Sequence, residues 1–217
     1  MFQTAAILVL LATIVGIIVH WFAFPASTEC RSEGVVRGLI HVFSLLLIEQ
    51  RCSLLGALKK LCYIAAAVCF VLLGLTGFWS VVLAGDHISG WPMILHATLA
   101  PIFAICLAIL AITWAGQNRF EKGDCPWLHR LLRRVTRLAL PAQDGPCRCA
   151  ETSLKVTFWA IMILALPLIL SIVLSMLPLF GTHWQDFALA AHGWTALVFA
   201  VAVLIHTYLA VRIRLGQ

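Results

Sequence analysis

Five stretches of mainly apolar residues, each close to the length that crosses a lipid bilayer, constrain the fold of this chain more than any other feature. A spanning α-helix needs about 20 such residues. With 62% hydrophobic and 11% charged residues, the chain has more apolar surface than a soluble core of its size can bury. We therefore expect an all-α membrane protein. The predicted spans are Ala5–Phe24, Cys62–Ala84, Pro92–Ala115, Val156–Phe180 and Phe187–Val211.

The basic residues predict the orientation of the chain in the membrane. All 15 lysines and arginines lie in two long polar segments, 25–60 and 116–155, and in the C-terminal tail, while the short connections 85–91 and 181–186 contain none. Cytoplasmic loops carry such an excess, so we expect a multi-pass protein of the inner membrane with its N-terminus outside and its C-terminus in the cytoplasm. The net charge of +6 is then explained without nucleic-acid binding.

Two further patterns complete the predicted architecture. Residues 127–138 place apolar side chains on one helical face and arginines on the other, and residues 35–58 show a similar apolar stripe, which predicts cytoplasmic amphipathic helices on anionic lipid. The first apolar stretch lacks the basic start of a signal peptide, so we expect a retained helix. The interpretation is an N-terminal unit, 1–60, containing one extra spanning helix, and a four-helix transmembrane bundle, 61–217.

Four histidines lie inside predicted spans, where an ionisable side chain is costly and usually functional. His192 and His206 are 14 residues apart, which is about 21 Å along a helix and about 40° short of whole turns, so both point to one face. His96 and His192 lie a few residues into their helices from the same side. Two imidazoles at one depth on facing helices suit the axial positions of a haem iron. The fourth intramembrane histidine is His20.

The sequences around these histidines resemble a known family, the gamma subunit of membrane-bound formate dehydrogenase. The resemblance covers about residues 60–213 and implies a four-helix, di-haem b-type cytochrome that passes electrons between an iron–sulfur partner and quinone. The matching motifs are Ile94-Leu-His96-Ala-Thr, Ala-Ala-His192-Gly-Trp, Leu-Ile-His206-Thr-Tyr, Cys125-Pro-Trp-Leu and Lys155-Val-Thr-Phe-Trp.

The resemblance also implies a ligand set. Residues matching His96 and His192 hold the family's outer haem, and the residue matching His206 holds an inner haem with a histidine from the first family helix. Here Tyr63 occupies that last position, and tyrosine is also a known haem ligand. The open candidates are His20, which we favour on depth, His41 on the amphipathic segment, Tyr63, or an inner haem that is absent or five-coordinate.

The predicted function is therefore a cytochrome subunit with no catalytic site of its own. We expect haem b, two per chain, relaying electrons across the membrane between menaquinone or ubiquinone and a partner subunit carrying iron–sulfur clusters or several haems. Residues 151–155 lack the Asn and Gly that the family uses at its quinone pocket. Two alternatives remain: a haem-free membrane anchor, and a small proton-linked transporter, which the lack of intramembrane Asp, Glu, Lys and Arg disfavours.

Overall fold

Each predicted span forms a helix in the computed structural model, which describes residues 2–24, 54–85, 87–120, 124, 149–177 and 181–215. All five helices are long and apolar enough to cross a membrane, as expected where no water is present to bond the backbone. The protein is thus an all-helical, multi-pass membrane protein. In chain order the helices are α1 Phe2–Ala23, α2 Leu54–Trp79, α3 Gly90–Trp114, α4 Cys149–Met176 and α5 Thr182–Leu215.

The helices form two antiparallel hairpins with a fifth helix beside them. Helix α2 packs along α3, and α4 packs along α5, whereas the hairpins touch each other through a short stretch of α3 and α4. Helix α1 lies against α5 and the end of α2. The two hairpins also meet in one buried apolar cluster, which includes Phe103 of α3, Ile161 of α4 and Phe199 of α5.

Small residues allow α2 to approach its neighbours closely. Cys62, Ala66 and Cys69 recur at helical spacing and are buried, together with Phe103 and Leu107 of α3. Close approach of backbones through small side chains is the usual basis of helix packing in membranes. Large apolar side chains on the outer faces are exposed instead, as expected for surfaces that lipid covers.

Two glycines shape the short connections. Helix α2 continues as a π-helical turn, Ser80–Ala84, which Gly85 ends in a left-handed conformation (φ 66°) while its N–H bonds to the Ser80 carbonyl. Gly181, with φ 79°, precedes α5 in the same way. Only glycine adopts this conformation without strain. Gly85 and Gly181 therefore lie where the chain leaves or enters a helix.

One end of the bundle holds both short connections, and we call it the short-loop end. The start of α1 lies there too, because the Gln3 side-chain amide donates to the Val82 carbonyl at 3.3 Å. The opposite end, which the two long polar segments join, is the long-segment end. Helices α1, α3 and α5 all run from the short-loop end to the long-segment end, and α2 and α4 run back.

Some predictions lie beyond these helices. The amphipathic helices predicted over 35–58 and 127–138 fall outside the described residues, except for residues 54–58, which belong to α2. The orientation in the membrane and the division of the chain into 1–60 and 61–217 remain predictions.

Candidate haem site

The His96 imidazole is held in one tautomer by α2. Its Nδ1 lies 2.9 Å from the Thr76 hydroxyl oxygen. That hydroxyl donates its proton to the Leu72 carbonyl of its own helix at 2.8 Å, so it accepts from the His96 Nδ1–H. A neutral imidazole that donates from Nδ1 has its lone pair on Nε2, the atom free to bind a metal.

A missing side chain makes room for the His96 ring. A Cβ atom on Gly77 of α2 would lie 3.3 Å from the His96 Cε1 and 3.7 Å from its Nδ1. The nearby Gly74 differs, because a Cβ there would meet nothing within 4 Å. Gly77 is therefore the position at which α2 accommodates this ring.

His192 of α5 is also held in one tautomer, by the neighbouring helix of the other hairpin. Its Nδ1–H donates to the Leu168 carbonyl of α4 at 2.9 Å, and because a carbonyl only accepts, the proton must be on Nδ1. The His192 ring is also close enough to His96 for the two imidazoles to interact electrostatically. The structure thus brings His96 and His192 together in the short-loop half of the bundle, one from each hairpin.

His206, two heptads further along α5, repeats the arrangement seen at His96. Its Nδ1 lies 2.8 Å from the hydroxyl oxygen of Thr157 on α4, and that hydroxyl donates to the Ser153 carbonyl at 2.9 Å. The Nδ1–H of His206 is again the donor, and Nε2 again carries the lone pair. His206 lies in the long-segment half.

These three residues fit the requirements of a haem iron ligand. An imidazole bound to metal usually donates its other N–H to an oxygen acceptor, which orients the ring and raises its basicity. Within the part of the chain that the structure describes, no Nε2 of the three has a hydrogen-bond partner, and no fully buried side-chain nitrogen or oxygen lacks one. Each Nε2 is therefore left without a side-chain partner among the described residues and is not fully enclosed by protein.

His20 lies elsewhere. Its Nδ1 is 2.6 Å from the Tyr208 hydroxyl, and the Arg212 guanidinium lies 2.5 Å from Nδ1 and 3.3 Å from Nε2. Tyr208 follows His206 by two residues, which is about 200° around α5. The predicted depth of His20 agrees with that of His206, but the structure places the two rings on opposite faces of α5 and does not bring them to one site. His41 is outside the described residues.

Tyr63, the other candidate of the sequence analysis, lies on α2 in the long-segment half. Its ring packs at 5.5 Å from that of Trp114 and is 38% exposed. The predicted quinone region at 151–155 contains one notable contact, since the Lys155 ammonium pairs at 2.5 Å with the buried Asp124 carboxylate.

Sequence reasoning missed the residues that support the ligands. Thr76, Gly77 and Thr157 carry no signal of their own, because threonine and glycine are common in membrane helices.

An aromatic cluster of Phe70, Phe103 and Phe199 lies between the two halves, with ring centroids 6.0–6.4 Å apart. Phe199 was detectable, since it lies seven residues from both His192 and His206.

Five helices apolar enough to cross a bilayer, with three internal imidazoles whose Nε2 is free, define a class of protein: a helical membrane protein suited to holding haem. The family model for prokaryotic cytochrome b561 matches residues 60–217, from within the first third of α2 to beyond α5, and the chain belongs to this family. It is a membrane b-type cytochrome, a haem b protein of transmembrane electron transfer. No curated protein matches the chain significantly.

Proposed function

We propose that this cytochrome relays electrons across the membrane through two haem b groups. His96 and His192 would hold one, at what we call the first haem site, and His206 would hold the other, at the second haem site. The single observation that carries this proposal is that the same kind of hydrogen bond orients all three imidazoles. Each directs its Nδ1–H to an oxygen on the neighbouring helix of its own hairpin, which leaves Nε2 for iron.

The first haem site suits a carrier of electrons and no substrate chemistry. Each hairpin supplies one imidazole, so His96 and His192 would together hold the haem and leave the iron no position for a substrate. Haem bound in this way supplies reversible one-electron transfer. The protein contributes the orientation of the two rings, through Thr76 and the Leu168 carbonyl.

The spacing on α5 supports transfer across the bilayer. His192 and His206 are 14 residues apart, about 21 Å along the helix, which is most of the roughly 30 Å hydrocarbon core. Placing the two sites on one helix keeps their separation fixed. A carrier with one site in each half can take an electron on one side and deliver it on the other.

The wider setting follows from the sequence. The 15 basic residues favour a cytoplasmic long-segment end in the inner membrane. The motif resemblance to the formate dehydrogenase gamma subunit supports menaquinone or ubiquinone as one reactant and an iron–sulfur or multihaem subunit as the other. Substrate chemistry would then belong to that partner.

Absorption spectroscopy of the purified protein tests the proposal directly. We expect a Soret band, reduced alpha bands and a pyridine haemochrome value of two haems per chain. The His192→Ala variant should lose the haem of the first site and keep the other. The matched control is His183→Ala, because His183 lies on the same helix, is exposed, and has no predicted ligand role.

Two results would contradict the assignment. One is a colourless, well-folded protein from cells with ample haem supply, which would favour a membrane anchor without haem. The other is a His192→Ala protein that retains both haems with unchanged spectra. Either result can be obtained without knowing the partner subunit.

A further inference from the structure

We propose that Arg212, His20 and Tyr208 form a binding site for the phosphate of an anionic phospholipid, where α1 lies against α5 at the long-segment end. His20 belongs to α1, which precedes the residues that the family model matches, and the other two belong to α5. The site therefore exists only because this chain carries α1. Tyr208 is about 200° around α5 from His206, so the site is separate from both haem sites. A lipid bound there would join α1 to the rest of the bundle.

The hydrogen bonds of the cluster determine where the His20 ring carries its proton. The Arg212 Nη1 lies 2.5 Å from the His20 Nδ1, and a guanidinium can only donate. The Tyr208 hydroxyl accepts from the same Nη1 at 3.2 Å and lies 2.6 Å from the His20 Nδ1, so its own proton points to that nitrogen. Two donors thus converge on Nδ1. The ring is neutral, and its Nε2–H is a further donor.

The Arg212 guanidinium keeps its full charge within this cluster. Its acceptors are the His20 ring, the Tyr208 hydroxyl and, at 2.8 Å from Nη2, the Phe24 carbonyl, all of them neutral groups. Within the described part of the chain, no carboxylate forms an ion pair with it. A guanidinium has more N–H groups than these acceptors use, and Nε has no acceptor among the described residues. Arginine with donors left over binds phosphate oxygens well, often through two parallel hydrogen bonds.

The cluster lies at the depth of lipid headgroups. His20 is in the last turn of α1, and Arg212 is in the last turn of α5. The Trp21 ring lies 6.2 Å from the Tyr208 ring, and both residue types favour the headgroup layer. His20 and Phe24 are exposed on the outer surface, so a headgroup can reach the cluster from the bilayer. The outer face of α1 is apolar and exposed as well, which suits the acyl chains of the same lipid.

Snorkelling alone does not explain the position of Arg212. An arginine near a helix end usually extends its charged group along the helix toward water. Here the guanidinium turns sideways and reaches the end of α1 at the Phe24 carbonyl. The dipole of a helix end amounts to about half an elementary charge, so it offsets only part of the arginine charge. The remaining positive charge is complementary to an anionic headgroup in the same layer.

Native mass spectrometry and thermal unfolding of the purified, delipidated protein test the site. The probes are phosphatidylglycerol, zwitterionic phosphatidylcholine and inorganic phosphate. We expect phosphatidylglycerol to bind and to raise the unfolding temperature, phosphatidylcholine to do so less, and inorganic phosphate to have no effect because it lacks acyl chains. Arg212→Gln should lose the bound phosphatidylglycerol and its stabilisation. The matched control is Arg119→Gln, which removes the same charge from an exposed position at the same end of the bundle.

A second variant keeps the test valid if Arg212→Gln does not fold. Arg212→Lys retains the charge but not the planar arrangement of donors, so it should bind phosphatidylglycerol more weakly than the wild type. Three results would overturn the inference. Phosphatidylglycerol could stabilise Arg212→Gln as much as the wild type, or inorganic phosphate could match the effect of phosphatidylglycerol. A quinone that stabilises the wild type alone, with phosphatidylglycerol inactive, would assign the cluster to quinone instead.

Discussion

The two halves of the bundle share one framework and differ in what α2 contributes. In the short-loop half, α2 supplies Thr76 and Gly77, which orient and accommodate the His96 imidazole. In the long-segment half, α2 supplies Tyr63 at the matching heptad position, with no neighbouring histidine in the described helices. Helix α5 provides a histidine to both. The two halves therefore differ in the residues that the α2–α3 hairpin contributes, since His96 of α3 has no counterpart among the described residues of the long-segment half.

The support of the ligands on α5 is closely similar in both halves. His192 donates to a backbone carbonyl of α4, and His206 donates to a hydroxyl of α4 that is itself bonded to a carbonyl. The α4–α5 hairpin thus orients the imidazoles of His192 and His206 in the same way, one in each half of the bundle. Differences between the haems should then arise from the α2–α3 hairpin, and variants in that hairpin are the way to separate them.

The largest effect should come from filling the space beside His96. Gly77→Val places branched carbons where even a Cβ would lie 3.3 Å from the ring, so the imidazole cannot keep its position. We expect loss of the first haem and retention of the second, measured by pyridine haemochrome content and reduced-band shape. Gly74→Val is the matched control on the same helix, because it has open space. Equal haem loss in both variants would show a general folding defect and remove the specific role of Gly77.

Much of this framework was predictable from the sequence, and the reason is periodicity. Apolar length gave five helices, and the 14-residue spacing of His192 and His206 placed both on one face. These properties belong to single helices. The choice of His20 as a ligand rested on depth alone, which says nothing of rotation about the helix axis.

Rotation is set by packing between helices, which the sequence does not display. The Phe2 ring lies 5.0 Å from that of Trp194, against Gly193, and Gln3 bonds to the end of α2. These contacts place α1 on the face of α5 opposite its histidines. The acceptors Thr76 and Thr157 were missed for the same reason, since their partners lie on other helices.

An intermediate effect should follow from removing a hydroxyl acceptor. Thr76→Val leaves the His96 Nδ1–H without its partner, and loss of such a partner typically lowers metal affinity about 10–100-fold. We expect weaker haem retention at the first site only, measured by transfer of haem to an apoprotein acceptor. Thr157→Val should weaken the second site only.

Two variants control for the loss of a threonine hydroxyl. Thr98 bonds only to the Ile94 carbonyl of its own helix and is exposed, so Thr98→Val should have no effect on either haem. Thr76→Ser keeps the acceptor and should retain most of the affinity. If Thr76→Val released haem no faster than Thr98→Val, the hydroxyl would not be what holds His96.

The smallest effect should come from breaking the contact between α1 and α5. The same variants test whether His20 takes part in the second haem site. Tyr208→Phe and His20→Phe each remove one side of the 2.6 Å hydrogen bond, and interhelical bonds of this kind average about 0.6 kcal/mol in double-mutant cycles. A cycle of the two variants, followed by thermal unfolding in detergent, should give a coupling of about that size. Both haem spectra should stay unchanged, because His20 contacts Tyr208 and Arg212 on the face of α5 away from His206. Loss of the second haem in His20→Phe would instead make His20 the partner of His206, despite its position across α5.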